Sequence, residues 1–173
     1  MLERLTIANL SSLDRDAFVN SLGAIFEHSP WVVERAWQKR PFASRAALLA
    51  VLGDVLSEAG RELQLSLINA HPELAGKLAV RGELTADSAR EQAGAGLAAC
   101  SPEEFVSLQR LNAGYREKFG WPFIVAVKGL SRQQIIAEIS RRIERTPDEE
   151  FAEALAQILR IAGFRLGDLV AGE

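Results

Sequence analysis

Apolar residues recur at three- and four-residue spacing along most of this chain, the signature of helices that bury one face. "SSLDRDAFVNSLGAIFEHS" opens on capping residues and then sets Phe18, Leu22 and Phe26 on one side. "PWVVERAWQKRPF" predicts a short helix with Pro30 in its first turn, ending before Pro41. "SRAALLAVLGDVLSEAG" predicts a central helix from a Ser44 cap to Gly60, and "RELQLSLINA" continues helically until Pro72 interrupts it. "TADSAREQAGAGLAAC" predicts the next helix, with Thr85 or Asp87 as its cap.

"SPEEFVSLQRLNAGYREKFG" carries the fullest grammar. Ser101 caps, Pro102 occupies the first helical position, Glu104 closes a capping box and Gly120 ends the helix. "SRQQIIAEISRRIER" and "TPDEEFAEALAQILRIAGFRLGDLV" repeat it. Two segments break the pattern: a loop around "KLAVRGELT", and "WPFIVAVKG", a β-branched apolar run too short for a helix. The prediction is an all-α fold, a single compact domain over residues 1–173 with about seven to nine helices.

Composition narrows the function classes. The 173 residues include 48% hydrophobic and 25% charged side chains, ordinary for a globular protein able to bury a proper core. A net charge of −3 gives no basic footprint for nucleic acid or anionic membrane. One cysteine, Cys100, excludes an intrachain disulfide and suits a reducing compartment. The two histidines and single cysteine show no metal-ligand spacing, so no metal is expected. "MLERLTIANL" has no signal-peptide core, and the terminal "LVAGE" is not a peroxisomal address. The expectation is a cytoplasmic protein.

Candidate chemistry starts at "INAHPELAGK". Imidazole titrates near neutrality and suits acid–base work. Pro72 pushes His71 away from helical backbone, so His71 reads either as a plain helix end or as a reacting group on a stiff support. Glu73 or another carboxylate could orient the ring. In "SAREQ", Ser88, Glu91 and Gln92 stand at i, i+3 and i+4 and gather a hydroxyl, a carboxylate and an amide on one helix face. That face is either solvated or able to recognise a small, hydrogen-bond-rich molecule, with Glu91 pairing with His71. Backbone groups along Phe123, Ile124, Val125, Ala126 and Val127 need partners, from neighbouring helices or from a planar ligand with amide-like donors and acceptors. Arg165, between Phe164 and Leu166, either snorkels outward or pairs with a carboxylate of the protein or of a ligand.

Together, "HPELAGK", "SAREQAGAGL", "LNAGYREKFGWPFIVAVKG" and "FRLGDL" resemble the 2-oxo-4-hydroxy-4-carboxy-5-ureidoimidazoline (OHCU) decarboxylases of uric acid breakdown, in order and spacing as well as letters. The resemblance implies an all-α, cofactor-free, homodimeric enzyme that forms (S)-allantoin and carbon dioxide. It makes His71 the catalytic acid/base, with Glu91 beside it. It makes Pro72, Ser88, Glu91, Gln92, Phe123 to Val127 and Arg165 the substrate-binding set. "SRRIERTPDEE" and the N-terminal third match more loosely and imply no residue roles. Two alternatives stay open: a helical protein-interaction domain using the small-residue seam and "PFIVAV", or a lyase acting on a different ureido or imidazolone acid.

Overall fold

The computed structural model describes residues 4–172, which form ten α-helices, eight of them seven residues or longer. The chain divides into two compact units, residues 1–70 with 158–173 and residues 71–157. Among the described residues no helix is long and apolar enough to cross a membrane.

The first unit contains α1 (Ile7–Ser12), α2 (Arg15–Leu22), α3 (Trp31–Trp37), α4 (Arg45–Glu58) and α5 (Arg61–Ala70). Asp14 caps α2 by accepting from Ala17 N–H at 2.8 Å, and Ser44 caps α4 through Ala47 N–H at 3.0 Å. Phe18, Leu22, Ile25 and Phe26 are buried together with Leu48, Leu52, Leu67 and Ile68. The Phe18 stripe predicted from periodicity is therefore core, although the chain passes into one turn of 3₁₀ helix at Gly23–Ile25.

The second unit contains α6 (Lys77–Arg81), α7 (Ala86–Gly94), α8 (Pro102–Phe119) and α9 (Arg132–Arg142). Helix α10 (Pro147–Leu169) contributes its first half to this unit and its second half to the other. Thr85 caps α7, which decides between the two candidates. Helix α8 follows its sequence signals closely: Ser101 and Glu104 form the capping box and Gly120 ends the helix at φ +83°, a conformation that favours glycine. One expectation changes. The segment read as loop around "KLAVRGELT" contains α6, a five-residue turn too short to show a periodicity of its own.

Candidate active site

The loop after α5 carries His71 and is built by side-chain amides. His71 is buried at 6% exposure, and Leu74, Ala75 and Gly76 behind it are buried as well. A buried loop must satisfy its backbone groups without water. Here Gln92 Oε1 accepts from Ala75 N–H at 3.0 Å, Gln109 Nε2 donates to Ala75 C=O at 2.7 Å, and Asn112 Nδ2 donates to Leu74 C=O at 2.9 Å. Ala75 sits at φ +50°, a left-handed position unusual for alanine, and two of these three bonds grip that residue. The Glu73 carboxylate, one candidate to orient the ring, accepts from Arg116 Nε at 2.8 Å.

Helix α7 presents Ser88 and Gln92 inward, both buried, with Glu91 half-buried beside them. The i, i+4 spacing read from the sequence therefore does define one inward face. Gln92 has a structural task there, because its carbonyl oxygen holds the loop four residues beyond His71.

The segment Phe123–Val127 is buried throughout and belongs to no helix or strand. Three of its backbone groups have protein partners. Ile124 C=O accepts from Arg142 Nη1 at 2.7 Å, Ala126 N–H donates to Gln157 Oε1 at 2.9 Å, and Val127 C=O accepts from Leu130 N–H at 3.0 Å. Among the described residues, no protein group pairs with the N–H of Phe123, Ile124, Val125 or Val127, or with the C=O of Phe123, Val125 or Ala126. Buried backbone groups are almost always paired, so this edge is built to meet something polar.

One face of α8 organises both segments. Asn112 grips the His71 loop; Tyr115, one turn further on, packs against Phe123 with ring centroids 5.3 Å apart. About 4.5 Å of helix rise separates those two positions, which sets the loop and the apolar segment side by side along α8. His71, Pro72, Ser88, Glu91, Gln92 and Phe123–Val127 thus all belong to the second unit.

Arg165 lies in the first unit and is 3% exposed. It does not snorkel. Its Nη2 donates to Glu27 Oε1 at 3.0 Å and its Nη1 to Ile25 C=O at 3.2 Å. The carboxylate anticipated for it is Glu27, itself buried, which nothing in "FEHSP" singled out.

The structure adds residues the sequence did not nominate: Gln109, Asn112, Arg142, Glu150 and Gln157. A signal existed for two of them. Asn112 shares the buried stripe of Leu108, Tyr115 and Phe119, and Arg142 shares that of Ile135 and Ile139. A polar residue on an apolar stripe is the kind that needs a specific partner.

A cavity of about 550 Å³ opens beside α6 and α7, with Ala79, Val80, Leu84, Ala93, Leu97 and Phe105 in its wall. Among the described residues Gln92 is the one predicted site residue that lines it. Its mainly apolar wall suits a greasy ligand better than a ureido acid.

The family model described as OHCU decarboxylase matches residues 11–167. The 2-oxo-4-hydroxy-4-carboxy-5-ureidoimidazoline decarboxylase of Haloferax volcanii is 41% identical over 172 residues, spanning 99% of this chain and 100% of the relative. Among solved structures, that of (S)-allantoin synthase superposes with a TM-score of 0.79 at 26% identity over 96% of this chain, which spans 54% of that one. An OHCU decarboxylase solved in the presence of (S)-allantoin shares the fold, with a TM-score of 0.67 at 19% identity. With the family model matching residues 11–167 and the Haloferax volcanii relative matching almost end to end, this chain belongs to the OHCU decarboxylase family.

Proposed function

We propose that this chain decarboxylates OHCU to (S)-allantoin, with the active site formed around His71, the inward face of α7 and the Phe123–Val127 edge. One observation carries the reading. The loop that carries the buried His71 is held by Asn112, on the helix that packs Tyr115 against Phe123, the first residue of a buried backbone edge most of whose donors and acceptors have no protein partner among the described residues. A planar ureidoimidazoline offers complementary N–H and C=O groups for that edge.

The chemistry needs no added electron sink. The bond from the hydroxyl-bearing carbon to the carboxylate breaks and carbon dioxide leaves. The electron pair forms a double bond to the ureido-bearing carbon, whose carbon–nitrogen double bond shifts its pair onto the ring nitrogen; that nitrogen takes a proton from solvent, giving a neutral enol-type intermediate. That intermediate takes a proton at the ureido-bearing carbon while the hydroxyl loses its own and becomes the ring carbonyl. His71 is assigned the proton movements at the hydroxyl, and Glu91 holds the imidazole or a ureido N–H. Proton delivery to one face gives a single enantiomer. Ser88 and Gln92 bound the ligand side of α7, and Pro72 stiffens the backbone beside His71. Arg165 is assigned to an anionic or carbonyl group of the substrate on the family resemblance. Its Glu27 partner suits that role, since an unbalanced guanidinium gripping the departing carboxylate would stabilise the ground state and slow the reaction. Residence in the cytoplasm and a homodimeric state complete the proposal.

The alternative interaction-domain reading needs "PFIVAV" available on a surface, and Phe123 to Val127 are buried instead. The direct test supplies freshly generated OHCU and follows loss of the substrate together with optical activity of the product. A rate above spontaneous decay and an enantiomeric excess of (S)-allantoin are expected. Racemic product at the uncatalysed rate from folded protein would refute the reading.

A further inference from the structure

We propose that Arg142 and Gln157 are positioning residues which turn Val125 into the substrate-reading edge of this site, an inference that rests on the function proposed above. The argument is covalent geometry. Both peptides flanking Val125 are trans, so in each the C=O and N–H point in opposite directions. Arg142 Nη1 holds Ile124 C=O at 2.7 Å, which turns Val125 N–H away from Arg142. Gln157 Oε1 holds Ala126 N–H at 2.9 Å, which turns Val125 C=O away from Gln157.

The two anchors belong to one wall. Arg142 Nε donates to Glu150 Oε1 at 2.8 Å, and Gln157 Nε2 donates to Glu153 Oε1 at 2.8 Å. Glu150, Glu153 and Gln157 stand at i, i+3 and i+7 and therefore line one face of α10. The segment is gripped from that side, and Val125 presents a donor and an acceptor on the other. Neither group has a protein partner among the described residues. A donor–acceptor pair on one residue matches the N–H and C=O of a cis-amide or ureido group, as in an isolated strand pairing.

The wall is costly enough to need a purpose. Arg142 and Glu150 are fully buried, and Glu150 also accepts from Tyr115 OH at 2.6 Å and from Arg145 Nη1 at 3.1 Å. The guanidinium lies over the Phe123 ring at 4.5 Å. Replacing such an ion pair by apolar side chains is often neutral or stabilising in other proteins, so stability alone does not explain it. The guanidinium also polarises the Ile124–Val125 peptide and makes Val125 N–H a stronger donor.

Removing Arg142 leaves a buried carboxylate and endangers folding, so the test uses Gln157, which is half-buried. Gln157→Met deletes the acceptor for Ala126 N–H. The double variant Gln157→Glu with Glu153→Gln keeps that acceptor and reverses the bond between the two side chains. Two readouts are taken: KM and kcat with OHCU, and amide NMR of Val125 and Ala126 during titration with (S)-allantoin. In wild type the Val125 amide shifts on addition of (S)-allantoin. Gln157→Met raises KM about three- to tenfold, the worth of one hydrogen bond, with kcat near wild type, and the double variant restores KM. An altered Ala126 amide with unchanged KM and unchanged allantoin affinity overturns the positioning role while leaving the reaction intact. A Val125 amide indifferent to saturating allantoin overturns the edge itself. If wild type fails to turn over OHCU yet Val125 responds to allantoin, the edge stands and the reaction is refuted.

Discussion

Tyr115→Phe removes one hydroxyl and nothing else from the buried network behind the site. The hydroxyl donates to Glu150 Oε1 at 2.6 Å, and the ring is fully buried between Phe119 and Phe123. A hydrogen bond to a charged acceptor contributes about 1.5–3 kcal/mol. Glu150 keeps its bonds from Arg142 and Arg145 after the change, so the expected loss is near the lower end, about 1–2 kcal/mol. For a chain of this length that lowers the melting temperature by about 2–8 °C. The alkaline limb gives a second signature. Burial, then the bond to Glu150, then its charge, push the phenol well above its ordinary value. The folded state therefore holds a proton that the unfolded state releases above about pH 10. Stability is unaffected by this group below that pH and falls above it, by up to about 1.4 kcal/mol per pH unit. Tyr115 is the single tyrosine of the chain, so absorbance of the phenolate reports it alone. Urea unfolding from pH 8 to 11, with ultraviolet titration of folded protein, checks both. Phenolate appearing near pH 10 in folded wild type, or an equally steep alkaline limb in Tyr115→Phe, would refute the reasoning.

Asn112→Ala strips the donor from Leu74 C=O and leaves that buried carbonyl unpaired; a loss of about 1–3 kcal/mol is expected by chemical denaturation. The same variant should lower turnover of OHCU, because the loop it releases carries His71. Glu104 and Glu149 have carboxyls held below the ordinary range, first by backbone N–H bonds at Ser101 and Thr146. Their contribution is present above the unfolded value near pH 4.3 and disappears as pH falls through the lowered folded value. Glu104→Gln keeps the capping box but loses the charge, so it should be less stable than wild type at neutrality, converge with it in acid, and show a flatter acid limb. Burial and the nearby Glu104 charge raise the Cys100 thiol, so labelling by a thiol reagent should be slow at pH 7.5 and accelerate steeply above pH 9.

Much of the architecture was legible because capping is local chemistry. Ser44, Thr85, Ser101 and Ser131 each cap the helix that their position announces. What spacing could show of the site was the inward face of Ser88 and Gln92, and the break at Pro72. It could not show what those groups meet. Gln92 bonds Ala75 across 17 residues of sequence, and Glu27 reaches Arg165 across most of the chain, pairings that only the folded packing creates. Arg142 lay in the stretch that resembles the family loosely, and its Ile124 partner comes from a different element. Helix α6 escaped notice for a simpler reason: one turn between Gly76 and Gly82 carries no period. No composition shift marks the borders of the two units, one at the end of α5 and the other inside α10.

The central claim is that His71 directs proton movement during decarboxylation. His71→Asn keeps a polar side chain of similar size but cannot take up or deliver a proton near neutral pH. The decisive measurement is the circular dichroism of product formed from freshly made OHCU by folded His71→Asn beside wild type. The account predicts (S)-allantoin from wild type and racemic product at the spontaneous rate from the variant. (S)-Allantoin formed by His71→Asn at the wild-type rate would contradict it.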